Sequence, residues 1–238
     1  FTGIVYSREI NGEEYTFGVS GKLIRNVLVM YDRQTESYWS QLLGEAVEGE
    51  LVGSKLEFMP SWMMSWAQWQ ELHPDTVALD KQGRRGARDS YDSYYVSGRT
   101  GVIPETIQDD RLNVKEFVNG VELANAVVAY PFSTLNEQPV VNDTVGEETI
   151  LVWFDVETAV SVAYSRVVNE QTLTFTATND PHIIKDNETG TTWDAFSGVA
   201  LDGLLAGSQL TRLKSTTSFW FGWKDIHPDT LLFGQDDY

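Results

Sequence analysis

A shift of 154 positions lays residues 32–79 over residues 186–233 with 17 identities in 48 and no gap. Asp32, Thr35, Trp39, Gly44, Ala46, Gly49, Gly53, Leu56, Trp66, Trp69 and the run His73-Pro74-Asp75-Thr76 fall on Asp186, Thr189, Trp193, Gly198, Ala200, Gly203, Gly207, Leu210, Trp220, Trp223 and His227-Pro228-Asp229-Thr230. Tryptophan and histidine are rare, and four of them match in order, so this self-similarity reads as an internal duplication. At an offset of 158, residues 4–8 match residues 162–166 and residues 15–17 match residues 173–175. The chain must therefore fold into something that can be built twice.

Composition narrows the partners. With 238 residues, 42% apolar and 12% aromatic, the chain can bury a sizeable core. Seventeen basic against 35 acidic side chains give a formal charge of −18, which argues against a phosphate backbone or an anionic membrane surface as partner. A cationic partner, or divalent ions held on the acidic surface, fits that charge better. Without cysteine there are no disulfides, thiolate metal sites or cysteine nucleophiles within the chain. No apolar run approaches the roughly 20 residues needed to span a bilayer. Starting at Phe1 without a charged leader, the sequence reads as a mature or trimmed form.

Local patterns suggest short strands. Residues 4–6 and 15–19 flank Asn11-Gly12, a strong hairpin signal, and are expected to pair antiparallel. Residues 27–31 and 37–42 form a second expected pair across the 32–36 turn, and Leu51 and Leu56 flank a further hairpin at Gly53-Ser54. Trp62, Trp66, Trp69 and Leu72 recur at helical spacing after Ser61, with Ser61 or Ser65 as cap and Pro74 as stop. Residues 77–79 read as a closing strand. Residues 80–112 lack a period, hold Arg84, Arg85, Arg88, Arg99 and Arg111, and read as a surface connection. Residues 121–130 and 148–154 are strand-like, separated by Pro131 and an apparent turn at 142–146. The expectation is a mainly β, α+β protein of two homologous antiparallel-sheet units, each with one tryptophan-faced helix, in pseudo-twofold arrangement. The first unit is residues 1–79, the connection 80–112 and the second unit 113–238.

The two units are not equal. The second has strand-like residues 124–130 and 149–154 ahead of its first matched strand, and the first has no counterpart for them. Either the natural protein continues upstream of Phe1 or another chain supplies strands to an open edge.

Residues kept in both copies read as fold-holding: the paired tryptophans as core anchors, and His73 and His227 as helix-end groups favouring positive charge and satisfied by Asp75 or Asp229. Polar residues special to the first copy are the candidate ligand-binding set: Ser20, Tyr31, Arg33, Ser40, Gln41 and Glu45. An arginine, an amide and a carboxylate on adjacent strands can hold an anionic or hydroxylated ligand, with Glu45 as a general base. The structural alternative is an Arg33–Glu45 ion pair with Gln41 bonded to backbone. Catalytic residues are not identifiable: there is no Gly-x-Ser-x-Gly motif, and His182 is the only other histidine, too few for a three-histidine metal site. Asn142 and Asn187 head Asn-x-Thr glycosylation sequons. Turns at Asn179-Asp180, Asp186-Asn187 and Asp236-Asp237 offer calcium-type oxygens without EF-hand spacing, so no metal or cofactor is expected beyond weakly held Ca2+.

The run from Tyr15 to Leu23, that from Leu28 to Ala46, Trp66-x-x-Trp69-x-x-x-His73-Pro74-Asp75-Thr76, the run Val127-Val128-Ala129-Tyr130-Pro131-Phe132 with Leu135, and Val141-Asn142-Asp143 resemble domain of unknown function 3179. The resemblance covers nearly the whole chain. It implies an exported bacterial or archaeal protein without an assigned reaction. Many members carry a Cys-Pro-x-Cys motif just before the strand matching residues 4–8; Thr2 stands near its second cysteine, so no redox or metal role carries over. The expected function is a non-enzymatic structural or binding module of the cell envelope or an extracellular assembly, self-associating by strand addition. Its partners would be its own copies or other envelope proteins. The alternative is an enzyme or small-ligand binder using the six-residue cluster.

Overall fold

The computed structural model describes residues 2–78, 80, 92–236 and 238. Strand β1 (Val5–Tyr6) is followed by β2 (Glu9–Ile10) and β3 (Glu13–Glu14), which pair across Asn11-Gly12. Both turn residues have positive φ, 54° and 83°, the combination for which Asn-Gly is selected in two-residue hairpins. The hairpin is shorter than expected, and its flanks go elsewhere. β1 pairs with β8 (Phe58–Met59), while β4 (Phe17–Ile24) pairs with β5 (Val27–Asp32). One cause is Tyr6, whose hydroxyl donates to the carbonyls of Gln41 and Leu42 at 2.9 and 3.0 Å. Its ring lies over Gly44, where a Cβ would stand 2.5 Å from it, and this holds β1 over the next turn.

β4, β5, β6 (Tyr38–Ser40) and β7 (Glu45–Glu48) form an antiparallel sheet in chain order, with Val29 opposite Ser40 and Met30 opposite Trp39, as the second expected pair requires. Trp39 is fully buried with Ile10, Ala46 and Leu56, and Phe17 meets it edge-on at 5.7 Å. The segment after β7 folds back onto it, Gly53 N–H to Ala46 O and Leu56 N–H to Gly44 O at 2.8 Å each, so residues 53–56 pair with β7 and not across a turn of their own.

Helix α1 (Trp66–Leu72) starts four residues later than the Trp62 spacing suggests. Ser65 accepts from the Gln68 amide and Gln68 reaches back to the Ser65 amide, a complete capping box. Trp62 lies outside the helix and stacks on Phe196 at 4.6 Å. The helix stops at His73, ahead of Pro74. Residues 77 and 78 form no strand, and Leu79 lies outside the described residues. Of the connection, Arg84, Arg85 and Arg88 also lie outside the described residues. After α2 (Asp92–Val96) the connection runs over the surface, with no residue of 93–112 buried, yet it is anchored: the amides of Thr106 and Ile107 donate to the buried carboxylate of Asp225.

The run expected as one strand at 121–130 is a hairpin, β9 (Phe117–Glu122) and β10 (Val127–Pro131), because residues 123–126 turn, with the Leu123 amide on the Ala126 carbonyl. After α3 (Phe132–Glu137), strands β11 (Val140–Val145), β12 (Glu148–Phe154) and β13 (Ser161–Ser165) make a three-stranded sheet. Residues 142–145 are thus strand, and the turn falls at Gly146. A short hairpin, β14 (Val167–Val168) and β15 (Gln171–Thr172), leads to the sheet β16 (Phe175–Ala177), β17 (Ile183–Asp186), β18 (Thr192–Asp194) and β19 (Ala200–Asp202) around buried Trp193. β20 (Ser215–Phe219) then pairs with β9 and runs directly into helix α4 (Trp220–Ile226), and β21 (Leu231–Leu232) pairs parallel with β10. The protein is mainly β, with several antiparallel sheets and few helices. Five tryptophans, Trp39, Trp153, Trp193, Trp220 and Trp223, are essentially fully buried, each contributing on the order of 4–6 kcal/mol of hydrophobic stabilisation before entropy is subtracted.

Candidate functional site

Four of the six first-copy residues lie on β4 to β7, while Arg33 and Gln41 sit in the turns after β5 and β6. Arg33 lies 5.8 Å over the Tyr31 ring and Ser40 is opposite Glu45, but the six do not converge on one site. Ser40 is buried on β6, its hydroxyl 3.5 Å from the Leu43 amide. Ser20 donates to the Val29 carbonyl at 2.6 Å and receives the Lys22 amide. Tyr31 packs over Gly18, where a Cβ would lie 2.6 Å from its ring. Arg33 donates to the Phe17 carbonyl at 2.5 Å, and Glu45 pairs with Lys55 at 3.6 Å. The Arg33–Glu45 ion pair therefore does not form: Arg33 sits in the turn after β5, and Glu45 meets the returning segment on β7. Gln41 does bond backbone, donating to the Thr2 carbonyl at 3.2 Å.

Gln41 alone of the six lines a cleft of about 800 Å3. The walls come from Leu23, Val27 and Leu28 of the first sheet, from Leu42 in the turn after β6, from Tyr94 on α2 and Arg99 after it, and from Phe219 and Phe221 at the start of α4. The walls are mostly apolar, with Arg99 the single cation among the lining residues alongside polar Gln41, Ser97 and Ser218, a setting suited to an apolar ligand bearing one anionic or hydroxylated end. Sequence comparison of the copies found Gln41 but not Arg99, which lies in the connection where there is no second copy to compare.

The Asp-x-x-Thr turns are built alike. Asp32 accepts the Thr35 amide at 2.6 Å and the Trp39 indole at 3.0 Å; Asp186 accepts the Thr189 amide at 2.6 Å and the Trp193 indole at 2.9 Å. Burial alone would raise both carboxyls, but the indole and threonine donors outweigh it and hold each below the ordinary aspartate value. These inward bonds engage both oxygens of Asp186, which is fully buried. Among the described residues no three His, Cys, Asp or Glu side chains gather as a metal site would require. Asn142 is bonded in both directions to the backbone of Phe175 at 2.7 Å, whereas Asn187 is exposed and donates to Thr174 at 3.1 Å.

The Trp-x-x-Trp helices carry the sharpest contrast. In each, the second indole donates to the threonine of His-Pro-Asp-Thr at 2.9 Å, Trp69 to Thr76 and Trp223 to Thr230. In each, that indole lies 4.2 Å from the histidine ring. Yet Trp220 and Trp223 are buried, and Trp223 lies on Gly120 of β9 where a Cβ would come within 2.3 Å, while Trp66 is 49% and Leu72 50% exposed and α1 buries no residue. Trp66 is thus not the core anchor that its duplication suggests. His227 is not positively charged either: burial, helped by Lys214, lowers its pKa to about 4, its Nε2 has no partner, and Asp229 does not bond it.

No curated protein and no solved structure matches the chain. The family model described as protein of unknown function (DUF3179) matches residues 1–230, and the chain belongs to that family.

Proposed function

We propose that the protein is a non-enzymatic exported structural or binding module, of the cell envelope or an extracellular assembly, that accepts an added pair of β-strands beside α1. The carrying observation is the uncovered helix. Around α4 the same motif is roofed by β9 and β10, flanked by β20 and β21. The aligned segments of the first region, residues 61–65 and 77–78, belong to no strand, and Met63, Trp66, Leu72 and Val77 are 40–90% exposed. An exposed apolar patch beside segments that pair with no strand is a surface that strand addition can cover. We read the matched bonds of the two regions as the trace of an internal duplication, with the units 1–79 and 113–238 arranged about a pseudo-twofold axis.

Light scattering with electron micrographs of native material tests the reading. Long polymers, or a tight complex with a second polypeptide, are the expected result, accompanied by loss of amide exchange across residues 61–72. Monomers with freely exchanging 61–72 amides would overturn it.

The second reading, a small-ligand binder, is favoured by the cleft. It predicts that Gln41→Ala or Arg99→Ala abolishes binding of an amphipathic carboxylate without lowering the melting temperature, while Arg33→Ala leaves binding intact.

A further inference from the structure

A second, small cavity of about 20 Å3 lies between the two regions and shares no lining residue with the large cleft. Gly3, Ser61 and Met63 enclose it from one side, and Asn119, Ser161, Arg212, Ser215 and Thr217 from the other. Asn119 and Thr217 are cross-strand partners on β9 and β20, so the sheet presents its polar row to the cavity. Asn119 is 1% exposed and its Nδ2 has no partner. Arg212 donates Nη2 to the Ser61 carbonyl at 2.7 Å and lies 4.6 Å over the Trp62 ring, but its buried Nε and Nη1 are unpartnered too. None of the ion pairs among the described residues involves it.

The unpartnered buried atoms of these lining residues are all donors, and the hydroxyls that share the lining, of Ser61, Ser161, Ser215 and Thr217, carry no charge to balance the guanidinium. A guanidinium offers only donors and a fixed positive charge, and an amide nitrogen offers only donors. A buried charge is stable when a counter-charge and hydrogen bonds reach it, and here the protein provides neither for this edge of Arg212. Burial without a partner also pulls the Arg212 pKa down. A cavity above about 10–15 Å3 holds one water-sized particle, so a tetrahedral oxyanion with five heavy atoms does not fit. A water would satisfy some donors but leave the charge uncompensated. The chain's overall −18 charge opposes anion entry, but beyond about 8 Å it is screened at physiological salt, whereas the guanidinium acts at contact.

We infer that this cavity binds a single small monovalent anion of halide size, held by Arg212 and Asn119 and pinning residues 3 and 61–63 to the β9–β20 sheet. The sequence agrees in one respect: the residue aligned with Arg212 is Phe58, so the site has no counterpart in the first region.

Crystals of the whole chain grown in sodium bromide provide the direct test, through an anomalous peak at the cavity. In parallel, thermal unfolding at matched ionic strength compares chloride with gluconate, which is too large to enter. The expected result is a bromide peak between Arg212 and Asn119 and a saturable chloride-dependent rise in Tm of about 2–4 °C, absent in Arg212→Met. Should that variant fail to fold, Asn119→Leu, which fills the cavity, is expected to lose the chloride response while remaining folded. No peak and equal Tm in both salts would assign the cavity to water and overturn the inference; a peak without chloride-dependent stability would mark an adventitious ion only and overturn it equally.

Discussion

Helices 66–72 and 220–226 carry the same residues at the key positions and close the same bonds, to within 0.1 Å for the indole to threonine contact and with the same 4.2 Å ring spacing to histidine. One is exposed and the other sealed. Local bonds belong to the motif itself, and burial does not. A bond that spans seven residues, Trp to Thr, forms wherever the local sequence recurs. Burial depends on β9 and β10, roughly a hundred residues upstream of α4, and nothing inside the helix specifies it.

The comparison breaks most visibly at its second tryptophan. Trp223→Ala removes a fully buried indole from against Gly120 and is expected to cost about 3–5 kcal/mol in denaturant unfolding. Trp69→Ala, on a helix with no buried residue, is expected to cost about 1 kcal/mol or less. Equal losses would mean that α1 is covered in solution, which is itself the outcome that strand addition predicts once a partner is present.

A smaller effect separates the two regions by pH. Burial lowers the His227 pKa from 6.5 to about 4. Above pH 6.5 both folded and unfolded states hold it neutral, so it contributes nothing. As pH falls from 6.5 towards 4, the unfolded state takes up a proton that the folded state refuses, and stability drops by up to about 3 kcal/mol. His227→Gln should flatten that limb of a Tm against pH curve. Asp32 and Asp186 act lower: their carboxyls sit below the ordinary value in the fold, so their stabilisation is present above pH ~3.8 and is lost as pH falls through the folded pKa. A His227→Gln curve that still falls between pH 6.5 and 4 would place the acid sensitivity elsewhere.

What the sequence made legible follows the same division. The Asn11-Gly12 turn, the β5–β6 pair, the Pro74 stop and the Asp32 turn were all readable, because each is decided within a few residues. The partners of β1 and β4 were not, since Tyr6 meets Gly44 only across 37 residues of intervening chain. Trp62 kept the helical spacing but left the helix, because the Ser65–Gln68 box starts α1 later and Phe196 offers a stacking face that the local sequence does not contain. Gln41 at the cleft was legible because it is polar and unique to the first copy. Arg212, unique to the second copy, and Arg99, in the unrepeated connection, carry no such signal.

The last contrast concerns how each helix begins. α4 starts after Phe219, whose side chain makes no cap bond; packing of Trp220 and Trp223 against the sheet holds it. α1 has the reverse arrangement, a full capping box and no buried face. Removing the cap with Ser65→Ala should therefore cost about 1 kcal/mol, and the cost should stay local, because a short helix without buried contacts opens as its own small unit. Hydrogen exchange is the measurement: protection of amides 66–72 should fall about fivefold, the exchange equivalent of that energy, while the amides of β5 and β6 and the global Tm stay unchanged. Loss of protection spreading to the sheet around Trp39 would show that α1 is welded to the first region after all, and that its exposed tryptophan is not waiting for strands from elsewhere.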